Sequence, residues 1–286
     1  GMEAESLSKK AVAEMIAETD GEVEELLRLR LMLAKTSVKK YEAIERSACS
    51  DGRVHGMLMF YGANRSGRWS GKNVQLHNLP KNYLPDLELA RNLVKQGRFE
   101  DIELLYDSTP NVLSELIRTA FIPKPGCRFV VADFSAIEAR VLAWLSGEQW
   151  RLDVFTSHGK IYEASASSMF HVPMEEITKG SPLRQKGKLA ELGLGFGGAS
   201  GALISMGALD MGLTEEELPP LVAAWRKANP HITQFWWDVD AAAIKAVTEK
   251  QRTKVGRIIF EYKSGILFIT LPSGRKLSYV KPRMAV

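Results

Sequence analysis

Cysteine is scarce in this sequence, since Cys49 and Cys127 are the only two among 286 residues. Two isolated thiols exclude a disulfide framework or a cysteine-rich zinc site, so a reduced, cytoplasmic setting is expected. The five histidines show no metal-ligand spacing and are interpreted as structural or surface residues. No apolar run approaches the roughly 20 residues that cross a bilayer, and no signal-peptide core is present, so no membrane partner is predicted.

A large excess of charge of either sign is also lacking. Lysine and arginine number 38 against 34 aspartates and glutamates, a formal net charge of +4. This mild basic surplus permits nucleic-acid binding but does not require it, because many soluble enzymes have a similar balance. The hydrophobic content of 45% is enough for one large core or two smaller ones, which predicts one to two domains.

An apolar segment that ends in a carboxylate is the first informative pattern. Residues 128–132 are rich in Phe and Val and predict a buried strand that ends at Asp133, whereas residues 138–145 have helical apolar spacing. A carboxylate held rigidly at the end of a strand suits Mg²⁺, which requires a strict octahedral arrangement of oxygens. An aspartate that merely caps the following helix explains the pattern equally well.

A second pattern follows Ser181 and Pro182, which predict an N-cap and a first helical residue. Four residues then recur at steps of i, i+4 and line one face of the helix: Arg184, Lys188, Leu192 and Phe196. The cationic start of this face could hold a polyphosphate, and its apolar end could contact a flat ring. A solvated basic helix face is the alternative for the two cations.

Together these segments resemble the family A DNA polymerases. Residues 133–140, DFSAIEAR, resemble motif A, D-Y-S-x-I-E-x-R. Arg184, Lys188, Phe196 and Gly197 resemble motif B, R-x3-K-x7-Y-G. Residues 67–80, GRWSGKNVQLHNLP, are similar without a gap to the G-R-L-S-S-x-x-P-N-L-Q-N-I-P segment, which borders the primer-template duplex in that family. The three motifs occur in the family order, which makes a chance match unexpected.

The resemblance implies roles for the residues of motif A. Asp133 would be catalytic and would ligate two Mg²⁺ ions, with the backbone carbonyl of Phe134 assisting. Glu138 would lie under the incoming sugar and exclude a 2′-hydroxyl. In such a two-metal reaction, one ion activates the primer 3′-hydroxyl and the other neutralises the leaving pyrophosphate.

The resemblance also implies contacts to the two substrates, dNTPs and primer-template DNA. Arg184 and Lys188 would bind the triphosphate, and Phe196 would stack near the template base. Leu192 and Tyr162 complete the predicted dNTP site. Residues predicted to contact DNA are Arg68, which would reach the minor-groove side of the primer end, and Ser70, Gln75, Asn78 and Gly197.

Several positions depart from the family pattern. Leu192 stands where Phe or Tyr is usual, Phe196 replaces the Tyr of motif B, and Tyr162 stands where many members have a phosphate-binding His. A phenol carries no positive charge, so the triphosphate would depend more on the two cations. These departures, with Trp225 and the Phe-Trp-Trp cluster at 235–237, resemble the phage-encoded branch.

Motif C of the family, a His-Asp-Glu that supplies the second metal-binding Asp, has no counterpart, because no His-Asp pair occurs in the sequence. Asp238 and Asp240 are the nearest candidates. They are two residues apart in a helical context and would point to different faces, so a surface or helix-start role is predicted. The chain is therefore expected to be truncated before motif C and inactive or very weakly active alone. A non-catalytic nucleic-acid-binding remnant of a polymerase is the alternative.

The predicted fold class is α+β. Residues 1–50 are expected to form helices near a junction of thumb and palm, residues 51–148 a partial palm with the motif A strand, residues 149–250 helical fingers with motif B, and residues 251–286 a β-meander returning toward the palm. Strands are predicted at 54–61, 257–262, 266–271 and 276–280, and helices at 87–105, 112–119, from Thr214 to Trp225, and from Pro230 to about Lys250.

Overall fold

The computed structural model describes residues 6–33, 38–64, 66–106 and 108–284. The chain divides into two units, Gly1–Val130 and Val131–Val286. Helices and antiparallel strands occur in separate stretches of sequence, so the predicted α+β class is confirmed. Of the helical segment predicted for residues 1–50, residues 1–5 and 34–37 lie outside the described part of the chain.

The first unit contains six α-helices and a two-stranded hairpin among its described residues. In chain order they are α1 Lys9–Ala17, α2 Gly21–Leu33, α3 Lys39–Ser47, β1 Leu58–Ala63, β2 Arg68–Gly71, α4 Leu87–Lys95, α5 Phe99–Tyr106 and α6 Thr109–Leu116. Asp86 caps α4, since its side chain accepts a hydrogen bond from Leu89 N at 2.9 Å. The single helix predicted for 87–105 is wrong, because Gly97 adopts φ +70° and separates α4 from α5.

Two small cores hold the first unit together. Helices α4 to α6 pack around Ala90, Leu93 and Ile102. A second cluster surrounds Val74, and there the hydroxyl of Tyr41 on α3 donates to Leu113 O at 2.8 Å. The hairpin strand β1 begins four residues later than the predicted strand at 54–61, and residue 54 forms only an isolated bridge to residue 48.

The second unit consists of helices followed by a sheet. Its helices are α7 Ile137–Ser146, α8 Gln149–Ser157, α9 Ile161–Phe170, α10 Pro182–Leu194, α11 Ser200–Ser205, α12 Leu218–Ala228 and α13 Pro230–Thr248. Before α12, Thr214 and Glu217 form the capping box that the sequence predicts, around a short 3₁₀ turn. Trp225 is fully buried in the helical core and stacks on Trp236, with ring centroids 5.8 Å apart.

A four-stranded antiparallel sheet ends the second unit. The strands β3 Thr253–Val255, β4 Ile258–Lys263, β5 Ile266–Thr270 and β6 Lys276–Val280 pair in sequence order. The predicted meander is confirmed, with β3 as an additional short strand. Phe260 and Leu267 are buried from this sheet against Ala242 and Ala246 of α13, so the sheet and the long helix share one core.

The strand predicted to end at Asp133 is wrong. Residues 127–134 contain neither helix nor strand, and the side chains of Val130 and Val131 are 84% and 93% exposed. β-Branched residues favour an extended backbone, but a strand also requires a neighbouring edge with which to exchange hydrogen bonds. Among the described residues, no strand pairs with this segment. The following helix, predicted from residue 138, is confirmed as α7.

Candidate active site

The start of α10 has the capping that the sequence predicts. The Ser181 side chain accepts a hydrogen bond from Arg184 N at 3.3 Å, and Pro182 occupies the first turn, where its missing N–H costs nothing. Along the helix, Arg184 is half-buried, Lys188 is exposed and Leu192 is 45% exposed. The helix ends at Leu194, so Phe196, 75% exposed, lies in the following turn rather than on the helix itself.

Arg184 is held by two groups on α9. Its Nε donates to Glu163 Oε1 at 2.6 Å, and its guanidinium lies 5.4 Å from the centre of the Tyr162 ring. Burial raises the pKa of Glu163, but the hydrogen bond and the charge of Arg184 outweigh it, and the net shift is downward. The ion pair therefore stabilises the fold at neutral pH, and this contribution is lost as the pH falls through the lowered pKa.

Tyr162 lies between charges of both signs. Burial and the negative charge of Glu191 raise the pKa of its phenol, and the positive charge of Arg184 opposes them without reversing the shift. The phenol therefore remains protonated at neutral pH and can donate a hydrogen bond. This geometry agrees with a neutral donor at the position where many members of the resembled family have histidine.

A pocket of about 170 Å³ lies beside the exposed face of α10. It gathers four predicted site residues, Glu138 from α7, Tyr162 from α9, and Leu192 and Phe196. Leu142 and Gly195 contribute further apolar lining, and the charged side chains of Arg151 and Glu191 also line the pocket. The lining thus combines apolar groups with carboxylates and a phenol, an arrangement that suits a flat ring attached to a polar sugar.

A buried polar network behind α10 is the feature that sequence reasoning missed. Both carboxylate oxygens of Glu191 accept hydrogen bonds from the Arg151 guanidinium, one of them at 2.9 Å, and Trp225 Nε1 donates to Glu191 Oε1 at 3.0 Å. Arg151 Nη1 also donates to Asn229 Oδ1 at 2.9 Å. The side chains of Arg151 and Glu191 are 1% and 2% exposed. The network joins α10 to α8, to α12 and to the start of α13.

A sequence signal for this network exists. Glu191 is four residues after Gly187 and falls on the same helical face as Ala190 and Leu194, which are buried. A carboxylate among buried apolar positions requires a cationic or hydrogen-bonding partner. The pattern therefore indicates a buried partner for Glu191, but it does not identify that partner, because Arg151 is 40 residues away in sequence.

Asp133 and Phe134 lie in the irregular segment before α7, and both are exposed. A carboxylate oxygen and a backbone carbonyl oxygen are ligand types that Mg²⁺ accepts, and this ion is commonly held by one or two carboxylates together with substrate phosphates and water. Across the described residues there is no group of three or more His, Cys, Asp or Glu side chains that could hold a metal. The residues present thus fit one part of a magnesium site.

Asp238 and Asp240 do not supply a second metal ligand pair. Both are exposed in the middle of α13, and Asp238 accepts a hydrogen bond from Gln234 at 2.8 Å, one turn earlier. The predicted surface role fits this placement, whereas the alternative of a helix start does not, because α13 begins at Pro230.

The predicted DNA-contacting residues are divided between the two units. Arg68 and Ser70 lie on β2. Gln75 precedes a 3₁₀ turn in the same unit and Asn78 ends it, and Lys40 Nζ donates to Gln75 Oε1 at 3.3 Å. Arg68, Gln75 and Asn78 are exposed. Gly197 belongs to the second unit and adopts φ +80° directly after Phe196.

Gly187 sets the distance between α9 and α10. A Cβ at this position would lie 2.3 Å from the Tyr162 carbonyl oxygen, so Gly187→Ala must separate the two helices that hold Arg184 and Glu163. We expect a loss of about 1–3 kcal/mol in the free energy of unfolding, measured by denaturant titration. Gly201→Ala on α11 is the matched control: nothing lies within 4 Å of its Cβ, and the change is expected to be neutral or stabilising. Equal effects would contradict the close-packing explanation.

Comparisons with known proteins identify the family of this chain. The chain matches the DNA polymerase family A over residues 3–264. It is 61% identical to the DNA polymerase of Bacillus phage SP02, in an alignment that covers 99% of this chain and 44% of that protein. It is 36% identical over 127 residues to the thermostable DNA polymerase I of Thermus aquaticus, covering 40% of this chain and 15% of the relative.

A solved structure with a similar fold is the POL domain of Pol1 from M. smegmatis, in complex with DNA primer-template and dNTP. The similarity has a TM-score of 0.58 at 20% sequence identity and covers 94% of this chain and 38% of the other. A mixed helical and antiparallel fold of polymerase type is therefore present. The chain belongs to the DNA polymerase family A. Its similarity to the phage enzyme confirms the predicted phage branch. The chain spans less than half the length of that relative.

Proposed function

We propose that this chain holds the dNTP and the primer-template DNA in a template-directed DNA polymerase of DNA replication. The observation that carries the proposal is the face of α10 that presents Arg184 and Lys188 at one end and Leu192 at the other, beside a pocket whose lining includes Glu138, Tyr162 and Leu192. Cations followed by an apolar wall match the order of groups along a dNTP, from triphosphate to base.

The residues of the pocket would act as follows. Arg184 and Lys188 bind the triphosphate through charge-assisted hydrogen bonds, and the Tyr162 phenol donates one further hydrogen bond. Glu138 at the pocket edge excludes a 2′-hydroxyl by occupying its space. Phe196, exposed in the turn after α10, stacks near the template base.

Mg²⁺ is the proposed cofactor, with the Asp133 carboxylate and the Phe134 carbonyl as protein ligands. When bound, two such ions would activate the primer 3′-hydroxyl and neutralise the pyrophosphate. The contribution of Asp133 is to supply negative charge on the segment that leads into α7, the helix of Glu138. Among the described residues of the first unit, Arg68 is exposed on its hairpin and is proposed to contact the primer end, with Ser70, Gln75 and Asn78 beside the duplex.

The alternative function is nucleic-acid binding without catalysis. It is favoured by one observation: the sequence has no His-Asp pair that would supply the second metal-binding aspartate.

Among the described helices, none is long and apolar enough to span a lipid bilayer.

Template-directed selection of the dNTP tests the proposal without requiring turnover. A labelled primer-template with a 3′-dideoxy end is bound to the chain in Mg²⁺, and each of the four dNTPs is added in turn while dissociation is followed by anisotropy. We expect the dNTP complementary to the template base to slow dissociation and the other three to have little effect. Equal effects of all four dNTPs, or none from any, would contradict the proposal.

Primer extension separates the two candidate functions. With an extendable primer and all four dNTPs, we expect extension by this chain alone to be absent or very weak, because the sequence has no His-Asp pair to supply the second metal-binding aspartate. Asp133→Ala is the control, and it should leave DNA binding unchanged. Robust extension that Asp133→Ala abolishes would show that the catalytic metal site is complete and would exclude the non-catalytic alternative.

A further inference from the structure

An exposed aromatic pair lies on the β1–β2 hairpin, outside the dNTP pocket. The side chains of Phe60 and Trp69 are 73% and 60% exposed, and their ring centroids are 5.3 Å apart in an edge-to-face arrangement. Exposed aromatic rings in contact with each other make an apolar patch, and contiguous apolar patches mark interaction surfaces. We call Phe60 and Trp69 the hairpin aromatic pair.

The contact between the two rings places Phe60 and Trp69 on one face of the hairpin. Met59 is directly opposite Ser70, and the strand register then shifts between Met59 and Ala63. A Cβ on Gly62 would lie 1.8 Å from Ser70 Oγ and 2.8 Å from the end of Met59, so no further side chain fits at that point.

The charge of the surrounding segment identifies the kind of ligand. Residues 52–85, which contain the hairpin, have five lysines and arginines and no aspartate or glutamate. Four of the cations, Arg53, Arg68, Lys72 and Lys81, are exposed. Exposed aromatic rings within a positively charged segment match a ligand with flat rings on a polyanionic backbone.

We propose that the hairpin aromatic pair is a stacking site for unpaired bases of single-stranded DNA, with phosphates contacted by the cations of the same segment. The proposal rests on the proposed function for the class of ligand, and it adds base stacking by Phe60 and Trp69 to the predicted contact of Arg68 with the minor-groove side of the primer end. Stacking on an aromatic ring tolerates any base sequence, because every base presents a flat face.

A comparison of two probes tests the proposal. The first is an oligothymidylate, and the second is an abasic strand of equal length, which has the same phosphates but no bases. We expect the wild-type chain to bind the oligothymidylate more tightly. Trp69→Ala should weaken binding of the oligothymidylate about 5-fold or more and leave binding of the abasic strand unchanged. Trp69→Phe should retain most of the preference, and Phe60→Ala should reduce it.

The controls separate stacking from loss of fold and from other ligands. Trp237→Ala removes another exposed tryptophan, 65% exposed on α13, and should leave the preference intact. An equal loss for both strands in Trp69→Ala and Phe60→Ala would show a phosphate or folding effect and would overturn the proposal. Unchanged binding of both strands would also overturn it and would indicate another ligand, such as a protein. Because no dNTP is present, failure here is distinct from failure of template-directed dNTP selection.

Discussion

Arg151→Met is expected to lower the free energy of unfolding by about 3–5 kcal/mol. The methionine side chain is of suitable volume to fill the site, but it leaves the Glu191 carboxylate buried without its cation. The carboxylate would keep only the hydrogen bond from Trp225 Nε1. Asn229 Oδ1 would also lose its donor, Arg151 Nη1. The loss is measured by denaturant unfolding followed by tryptophan fluorescence, which reports directly on Trp225 and Trp236 in the same core.

The control for this prediction is an ion pair that water already solvates. Arg28→Met removes a pair with Glu24 whose side chains are 62% and 32% exposed, and we expect a change of at most about 0.5 kcal/mol. The double variant Arg151→Met with Glu191→Leu should recover much of the loss, because no unpaired charge then remains in the core. If the double variant were as unstable as the single one, the unpaired carboxylate would not be the cause.

Arg184→Ala is expected to weaken binding of the complementary dNTP by about 10- to 100-fold, since a hydrogen bond to a charged group contributes roughly 1.5–3 kcal/mol. The measurement is the anisotropy assay with the dideoxy-terminated primer. Binding of primer-template without dNTP should be unchanged. We expect weaker dNTP binding because Arg184 lies in the first turn of α10, with its guanidinium at the Tyr162 ring.

Glu163→Gln, next to Arg184, is expected to change dNTP affinity in the opposite direction. Removing the carboxylate that now accepts from Arg184 Nε takes away a negative charge near the proposed phosphates, so we expect dNTP affinity to rise roughly 2- to 5-fold. Lys186→Ala is the matched control, because this cation lies near the Phe170 ring rather than beside Tyr162. A loss of affinity in Lys186→Ala equal to that in Arg184→Ala would contradict a specific triphosphate contact and indicate a general effect of charge.

Local signals in the sequence predicted the helix that carries the candidate site. Ser181 and Pro182 predicted the start of α10, and the i, i+4 spacing placed Arg184, Lys188 and Leu192 on one face, because helix capping and helical periodicity depend on neighbours along the chain. The alternating apolar runs after Lys250 predicted the meander, since consecutive strands joined by short turns pair with each other.

The break between α4 and α5 at Gly97 is a local feature that was missed, whereas two further failures concern partners distant in sequence. The strand before Asp133 was predicted from the β-propensity of Val130 and Val131, yet an extended segment becomes a strand only when another edge accepts its hydrogen bonds. The pairing of Arg184 with Glu163 was not predicted either, because the two residues belong to different helices.

The sequence by itself determined the family, the order of the three motifs and the helix that carries the cations, because each depends on residue identity and short spacing. Only the tertiary structure decided which groups meet. It brought Arg151 to Glu191 across 40 positions and closed α9 on α10 at Gly187. It also left Phe60 and Trp69 in solvent. Burial and pairing depend on how separate helices and strands approach each other. The energies of those contacts are set by packing and desolvation rather than by the local sequence pattern.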